Sequence, residues 1–165
     1  MFLCRAPWSK RLRLTVYTDY ALRMLMYLAL KDDGLATIAE IAESYDISKN
    51  HLTKVAHQLG VAGYVVTVRG RNGGLRLGKP AEAIGLGEIV RLTEPDMAVV
   101  PCFKPVDAAC ALRRCCVLRS ALHKACFAFV EVLDRYTLSD LVQPRQRLQA
   151  LLSIAPFRDA PTITS

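Results

Sequence analysis

Between Val65 and Leu77 the chain is limited to one simple local fold. Val65-Val66-Thr67-Val68 is β-branched throughout, Arg69-Gly70-Arg71-Asn72-Gly73-Gly74 follows, and Leu75-Arg76-Leu77 returns. β-Branched side chains favour extended backbone, and a turn rich in Gly and Asn accepts the positive φ angles of a tight reversal. The segment predicts a β-hairpin. From Val65 to Lys79 it carries four cations and no acid, so its Gly-rich tip lets backbone approach phosphates or enter a minor groove. A solvated, decorative hairpin is the plainer alternative.

What precedes the hairpin narrows the choice. From Thr18, the residues Ala21, Met24, Leu25 and Leu28 recur at helical spacing, and Asp32-Asp33-Gly34 ends the run. Thr37 opens a Thr-x-x-Glu capping box with Glu40, and Ile38, Ile41 and Ala42 give a short second helix that stops at Tyr45-Asp46-Ile47. Ser48 is expected to cap a third helix with an apolar stripe of Leu52, Val55, Ala56 and Leu59, closed by Gly60 or Gly63. Its other side carries Lys49, Asn50, Thr53, Lys54 and His57. Helix-turn-helix proteins read a major groove with the first residues of the second helix, which here are Lys49, Asn50, His51 and Thr53. A packed helical hairpin would show the same pattern by itself. With a basic wing after it, the pattern predicts a winged helix-turn-helix over 13–97: a mainly α fold with a small β-hairpin.

Composition agrees with a packed, anion-seeking globule. The 165 residues are 52% hydrophobic and 22% charged, which excludes a disordered chain, and 22 Lys and Arg against 15 acids leave a net charge of +7. No apolar run approaches the ~18 residues of a membrane span, and the first residues hold too short an apolar stretch for a signal peptide, so a cytoplasmic protein is expected. Met1 to Arg13 carries Arg5, Lys10, Arg11 and Arg13, with no acid and no periodicity. A disordered arm is expected over 1–12, either a solvated tail or a nonspecific phosphate clamp.

Leu86, Ile89 and Val90 mark a fourth helix, and Glu94-Pro95 opens an irregular stretch. Leu118, Leu122, Ala125, Phe129, Val132 and Tyr136 then alternate spacings of four and three, the seam of a helix that packs against another helix. With no second long helix in the chain, the expected partner is its copy in another subunit; packing on the winged domain is the alternative. Residues 118–155 are read as a dimerisation helix and a C-terminal helix, with Thr137 and Asp140 restarting the chain as helix, and 156–165 as a frayed tail.

Cys102, Cys110, Cys115 and Cys116, four of six cysteines, fall in the loop 98–117. A reducing cytosol keeps such thiols free, so metal or redox chemistry is expected. Soft thiolates select zinc or iron–sulfur clusters, and the absence of C-x2-C pairs suits a cluster better than a structural zinc site. A zinc site, a thiol switch and inert thiols stay open on spacing alone. Cys126 is expected in the core, and Cys4 in the arm suggests nothing.

Leu14-Thr15-Val16-Tyr17-Thr18-Asp19-Tyr20-Ala21-Leu22-Arg23, Ser48-Lys49-Asn50-His51-Leu52, the hairpin Arg69 to Leu77, and Leu133-Asp134-Arg135-Tyr136-Thr137-Leu138 together resemble NsrR. This is the nitric-oxide-sensing branch of the dimeric winged-helix iron–sulfur repressors that also include IscR. The resemblance runs from about Arg13 to Leu152 and joins four motifs in order. It implies that Cys102, Cys110 and Cys116 hold a [4Fe-4S] or, alternatively, a [2Fe-2S] cluster, with Cys115 a substitute for Cys116. It also implies a fourth, carboxylate ligand, Asp19, from the other subunit; a carboxylate favourably placed at a helix N-terminus is the alternative for Asp19. IscR places a His three residues after its last cysteine, where this chain has Arg119, which favours NsrR. Members of the branch begin with Met before the Arg-Leu-Thr run. A UUG or CUG start at Leu12 would make Met1 to Arg11 an extension outside the fold.

The function so implied is that of a homodimeric repressor without enzymatic activity. It would bind a palindromic double-stranded operator through Lys49, Asn50, His51, Thr53 and Lys54 and through Arg69, Arg71, Asn72 and Arg76 of the wing. Nitric oxide would damage the cluster and release the DNA. A regulator of iron–sulfur assembly or iron supply is the alternative within this class. A zinc-stabilised module that binds an acidic protein is the alternative outside it.

Overall fold

The computed structural model describes residues 13–31, 35–71, 73–103, 110, 112 and 115–154. The basic arm with Cys4, Asn72 of the wing and the tail beyond 154 lie outside the described residues.

Three helices build the first half. α1 (Val16–Leu30) starts ahead of the apolar repeat because Thr15 is its N-cap, the hydroxyl accepting the Thr18 N–H at 3.2 Å. α2 (Ile38–Tyr45) carries the expected capping box: Thr37 Oγ1 accepts the Glu40 N–H at 3.2 Å, and Glu40 accepts the Thr37 N–H at 2.6 Å. It ends on Asp46 in the left-handed region at φ 53°. α3 (Lys49–Val61) begins at Ser48, but the Ser48 side chain makes no capping hydrogen bond. Its carbonyl instead accepts the His51 and Leu52 N–H groups, at 3.1 and 3.2 Å, so the turn backbone starts this helix. Gly63, at φ +77°, and not Gly60, closes α3: the Tyr64 N–H reaches Leu59 O at 2.9 Å and the Gly63 N–H reaches Gly60 O at 3.0 Å.

β1 (Val65–Val68) pairs antiparallel with β2 (Gly74–Leu77), Val65 opposite Leu77 and Val68 opposite Gly74. Ala36 adds a one-residue third strand by exchanging hydrogen bonds of 2.9 and 2.7 Å with Leu75. Ala21, Met24, Leu25 and Leu30 of α1 are fully buried in one core with Ile41, Leu52, Val55, Leu59 and Ile84.

α4 (Leu86–Thr93) follows, and then a single 3-10 turn, Pro101–Phe103. α5 (Val117–Leu133) is the longest helix among the described residues. It stops short of Tyr136, the expected last position of its seam. Thr137 must be extended, φ −108° and ψ 169°, to form a capping box in which Asp140 Oδ2 accepts its N–H at 2.7 Å, so the chain leaves α5 before reaching it. That box starts α6 (Leu138–Leu141), and α7 (Arg145–Leu151) completes the described chain. The segment grouped with the dimerisation helix in the sequence therefore divides. Leu138, Val142 and Ile154 return to the winged core, and Gln149 Nε2 donates to Leu30 O at 2.8 Å at the end of α1. Among the described residues no helix is long and apolar enough to cross a membrane.

Candidate DNA interface and cysteine centre

α1 holds α3 from behind. The Tyr17 hydroxyl donates to Lys54 O at 3.1 Å, and the Tyr20 ring lies against His51 with centroids 5.9 Å apart. Gln58 Nε2, further along α3, donates to Leu92 O of α4 at 2.8 Å. With its apolar stripe buried, α3 leaves Lys49, Asn50, His51, Thr53, Lys54 and His57 exposed on the other side. The Thr53 hydroxyl donates to Lys49 O at 2.8 Å, so what it presents outward is a methyl group and acceptor lone pairs. Tyr17 and Tyr20 were not distinguished in the sequence from ordinary core aromatics, and no local pattern marks them.

On the wing Arg69, Arg71 and Arg76 are exposed. Gly70 takes φ +122°, and a Cβ at Gly73 would collide with the Val68 carbonyl, so the tip is closed by backbone alone. Lys79, the fourth cation, is held at the base, its ammonium 4.3 Å from the centre of the Tyr64 ring. Four other cations are paired: Arg23 with Asp19 at 2.9 Å, Lys31 with Glu40 at 2.5 Å, Arg91 with Asp134, and Arg135 with Glu131 at 3.9 Å. Among the described residues no ion pair engages Lys49, Lys54, Arg69, Arg71 or Arg76. α3 and the wing thus carry uncompensated positive charge, which an anion stabilises.

The thiols lie on the other half. Cys102 sits in the Pro101–Phe103 turn, half-buried, and Phe103 meets His123 of α5 edge-on at 6.0 Å. Cys116 is the N-cap of α5, and its Sγ accepts the Arg119 N–H at 3.3 Å. Cys110 and Cys115 are exposed. Cys126, expected in the core, is only half-buried, its thiol 3.8 Å from Met97 O. Among the described residues no three His, Cys, Asp or Glu side chains are gathered as a metal site. Asp19 lies in the first turn of α1, bound to Arg23 of its own protomer.

A polar knot ties the end of α4 to the start of α1. Glu94, just after α4, accepts the Thr15 N–H at 2.7 Å, the Thr15 hydroxyl at 3.1 Å and the Thr18 hydroxyl at 2.5 Å. The buried hydroxyls of Thr18 and Thr93 are 2.9 Å apart. A carboxylate at the N-terminus of α1 also suits the helix dipole.

Two short helices joined at a tight turn, a polar second helix and a basic wing define a winged helix-turn-helix protein of the DNA-binding class. The chain belongs to the Rrf2 family, described as iron-dependent transcriptional regulators, whose model matches residues 14–144. It is 50% identical over 143 residues to the HTH-type transcriptional regulator NsrR of Bacillus licheniformis, covering 86% of this chain and 100% of that protein. With NsrR of Bacillus subtilis it shares 48% over 144 residues, covering 87% and 99%. Among solved structures it resembles CymR, the global cysteine regulator of B. subtilis, with TM-score 0.63 and 29% identity over 79% of this chain and 95% of that one. T. potens IscR matches with TM-score 0.66 and 26% identity, covering 84% and 91%. The similarity to NsrR holds over most of the chain, and these relatives are transcriptional regulators, not enzymes. The chain is a DNA-binding regulator of transcription.

Proposed function

We propose that this chain is a homodimeric cytoplasmic repressor, releasing a palindromic operator when nitric oxide damages an iron–sulfur cluster on Cys102, Cys110 and Cys116. The observation that carries this is α5, a 17-residue apolar helix with no buried residue, whose N-cap is Cys116. Val117, Leu118 and Phe127 are 81%, 66% and 68% exposed, and Phe129 and Val132 are exposed as well. So much apolar surface marks an interface. A second copy packing along Leu118, Leu122, Ala125, Phe129 and Val132 covers it, and the thiols then stand beside the subunit boundary.

The donor set fits such a cluster. The described thiols are all free, and an amide N–H already donates to Cys116 Sγ, a bond of the kind that tunes ligand sulfurs. Cys115 is the substitute ligand, and Asp19 of the partner subunit is the fourth, which requires it to exchange its bond to Arg23. A [4Fe-4S] cluster is the resident group of choice, with [2Fe-2S] the other form. When bound, it supplies iron that nitric oxide attacks.

DNA binding is the work of the chain. Lys49, Asn50, His51, Thr53 and Lys54 enter the major groove, while Arg69, Arg71, Asn72 and Arg76 hold backbone or minor groove. A palindrome fixes the separation of two recognition helices at about one helical turn or a multiple, so a change at the subunit boundary disengages a half-site. The test is to purify the protein anaerobically, assay iron and sulfide, and titrate nitric oxide while following visible absorbance and operator binding together. Both should fall in step. Undiminished operator binding after full bleaching overturns the sensing role, and a colourless zinc protein overturns the cluster.

A further inference from the structure

A buried donor stands beside the cysteines without an acceptor. Arg119 is half-buried, and its Nε is closed to solvent yet makes no hydrogen bond. Among the described residues no acid pairs with its guanidinium. Buried guanidinium N–H groups seldom go unsatisfied, so an orphan of this kind points to an acceptor that the described residues do not supply.

The position of Arg119 says where that acceptor lies. Spacings of three, four and three put Cys116, Arg119, His123 and Cys126 along one face of α5. Two cavities of about 500 and 600 Å³ open along this face, and Arg119 and His123 line both. Phe103, next to Cys102, lines the first, and Cys115 and Cys116 line the second. The backbone N–H of Arg119 is already committed to Cys116 Sγ at 3.3 Å. The second guanidinium on the wall of the first cavity, Arg91, is bound to Asp134, which leaves Arg119 as the uncommitted one there.

We propose that Arg119 is the outer positioning residue for the cluster, its guanidinium donating to the cluster or its ligand sulfurs and offsetting their negative charge. This rests on the proposed function above. Thiolate ligands leave such a cluster anionic, and net charge and hydrogen bonds to sulfur set its reduction potential. A fixed cation favours the more negative, reduced form, so removing it lowers the potential.

The experiment compares anaerobically reconstituted full-length wild type with Arg119→Gln, Arg119→Lys and, as a charge control, Arg135→Gln at the far end of α5. Iron and sulfide content, thermal unfolding of the apo-proteins and the one-electron midpoint potential are measured. All four should load and fold alike. Arg119→Gln should lose about tenfold in the reduced-to-oxidised ratio, about 59 mV for one electron, Arg119→Lys should lie between, and Arg135→Gln should match wild type. A potential for Arg119→Gln equal to that of wild type overturns the assignment while leaving the cluster itself in place. Loss of loading in Arg119→Gln with an intact apo-fold overturns the outer role, for which equal loading is expected. Wild type without iron or sulfide overturns the proposed function, and the role of Arg119 falls with it.

Discussion

α1 and α5 are similar in length and apolar content, yet they meet opposite fates. α1 buries Thr18, Ala21, Met24, Leu25, Tyr27, Leu28 and Leu30, whereas α5 buries none of its residues. Hydrophobic patterning says that a stripe needs a partner; it does not say whether that partner is in the same chain. The winged half finds its partners within the protomer and satisfies its helix ends locally with Thr15, the Thr37 box and Gly63. The cysteine half ends in exposed apolar surface, free thiols and an orphaned guanidinium. A half that is incomplete by these three measures is completed by something added to it.

The strongest challenge to that contrast is chemical. Cys110→Ala should lose its iron almost completely, because a cluster with one thiolate removed has an under-coordinated iron, while Cys126→Ala should keep it; anaerobic iron and sulfide assays decide. Loss in Cys115→Ala with retention in Cys116→Ala would move a ligand within the loop. Next come the cores. Leu52 is fully buried, and Leu52→Ala should cost about 2–5 kcal/mol in urea unfolding of the apo-protein. Phe129→Ser should leave helical content near wild type and weaken the dimer about tenfold, about 1.4 kcal/mol, by sedimentation. Equal unfolding penalties in the two variants would erase the distinction between core and interface.

Smaller effects sharpen the DNA side. Asn50→Ala should cost about 1–3 kcal/mol at its preferred base pair and relax preference there, whereas Arg69→Ala should weaken all sequences and reduce the salt slope by about 1. Binding to matched and mismatched operators across salt concentrations separates them. In the winged half, Thr37→Ala should cost about 1 kcal/mol through its lost cap. The smallest effect is that of pH. Burial pushes the Glu40 carboxyl up, but hydrogen bonds from Lys31 and from the Thr37 amide and hydroxyl, with the Lys31 charge, together hold it below the ordinary 4.5. Folding thus favours the ionised form: the contribution is present above pH 4.5 and is lost as pH falls through the lower folded value. Glu40→Gln should flatten that acid limb in a series of melts.

Local chemistry was legible in the sequence. The Thr37–Glu40 box, the hairpin implied by a β-branched run and a Gly-rich turn, and the polar face of α3 each depend on neighbours a few positions apart. What escaped notice depends on distance along the chain. The Ala36–Leu75 bridge is a single residue with no periodicity, and the Glu94 knot joins residues 76 and 79 positions apart. Ser48 fits a cap by type, yet the turn backbone served instead. Tyr136 continued a seam by spacing, but Thr137 claimed an extended backbone for its own cap. The thiols proposed as ligands are legible by residue type, whereas Arg119 is notable only for a buried Nε without an acceptor.

The Glu94 knot also sets the leverage of the molecule. Thr15 and Thr18 take the carboxylate on one side of the first turns of α1, and Tyr17 and Tyr20, about 200° around the axis at 100° per residue, hold Lys54 and His51 on the other. The segment that departs at Pro95 toward the cysteines is therefore pinned across the thickness of one helix, about 10 Å, from the back of α3. A crank so short loses little motion: tilting α1 at Glu94 shifts Tyr17 and Tyr20 in the same stroke.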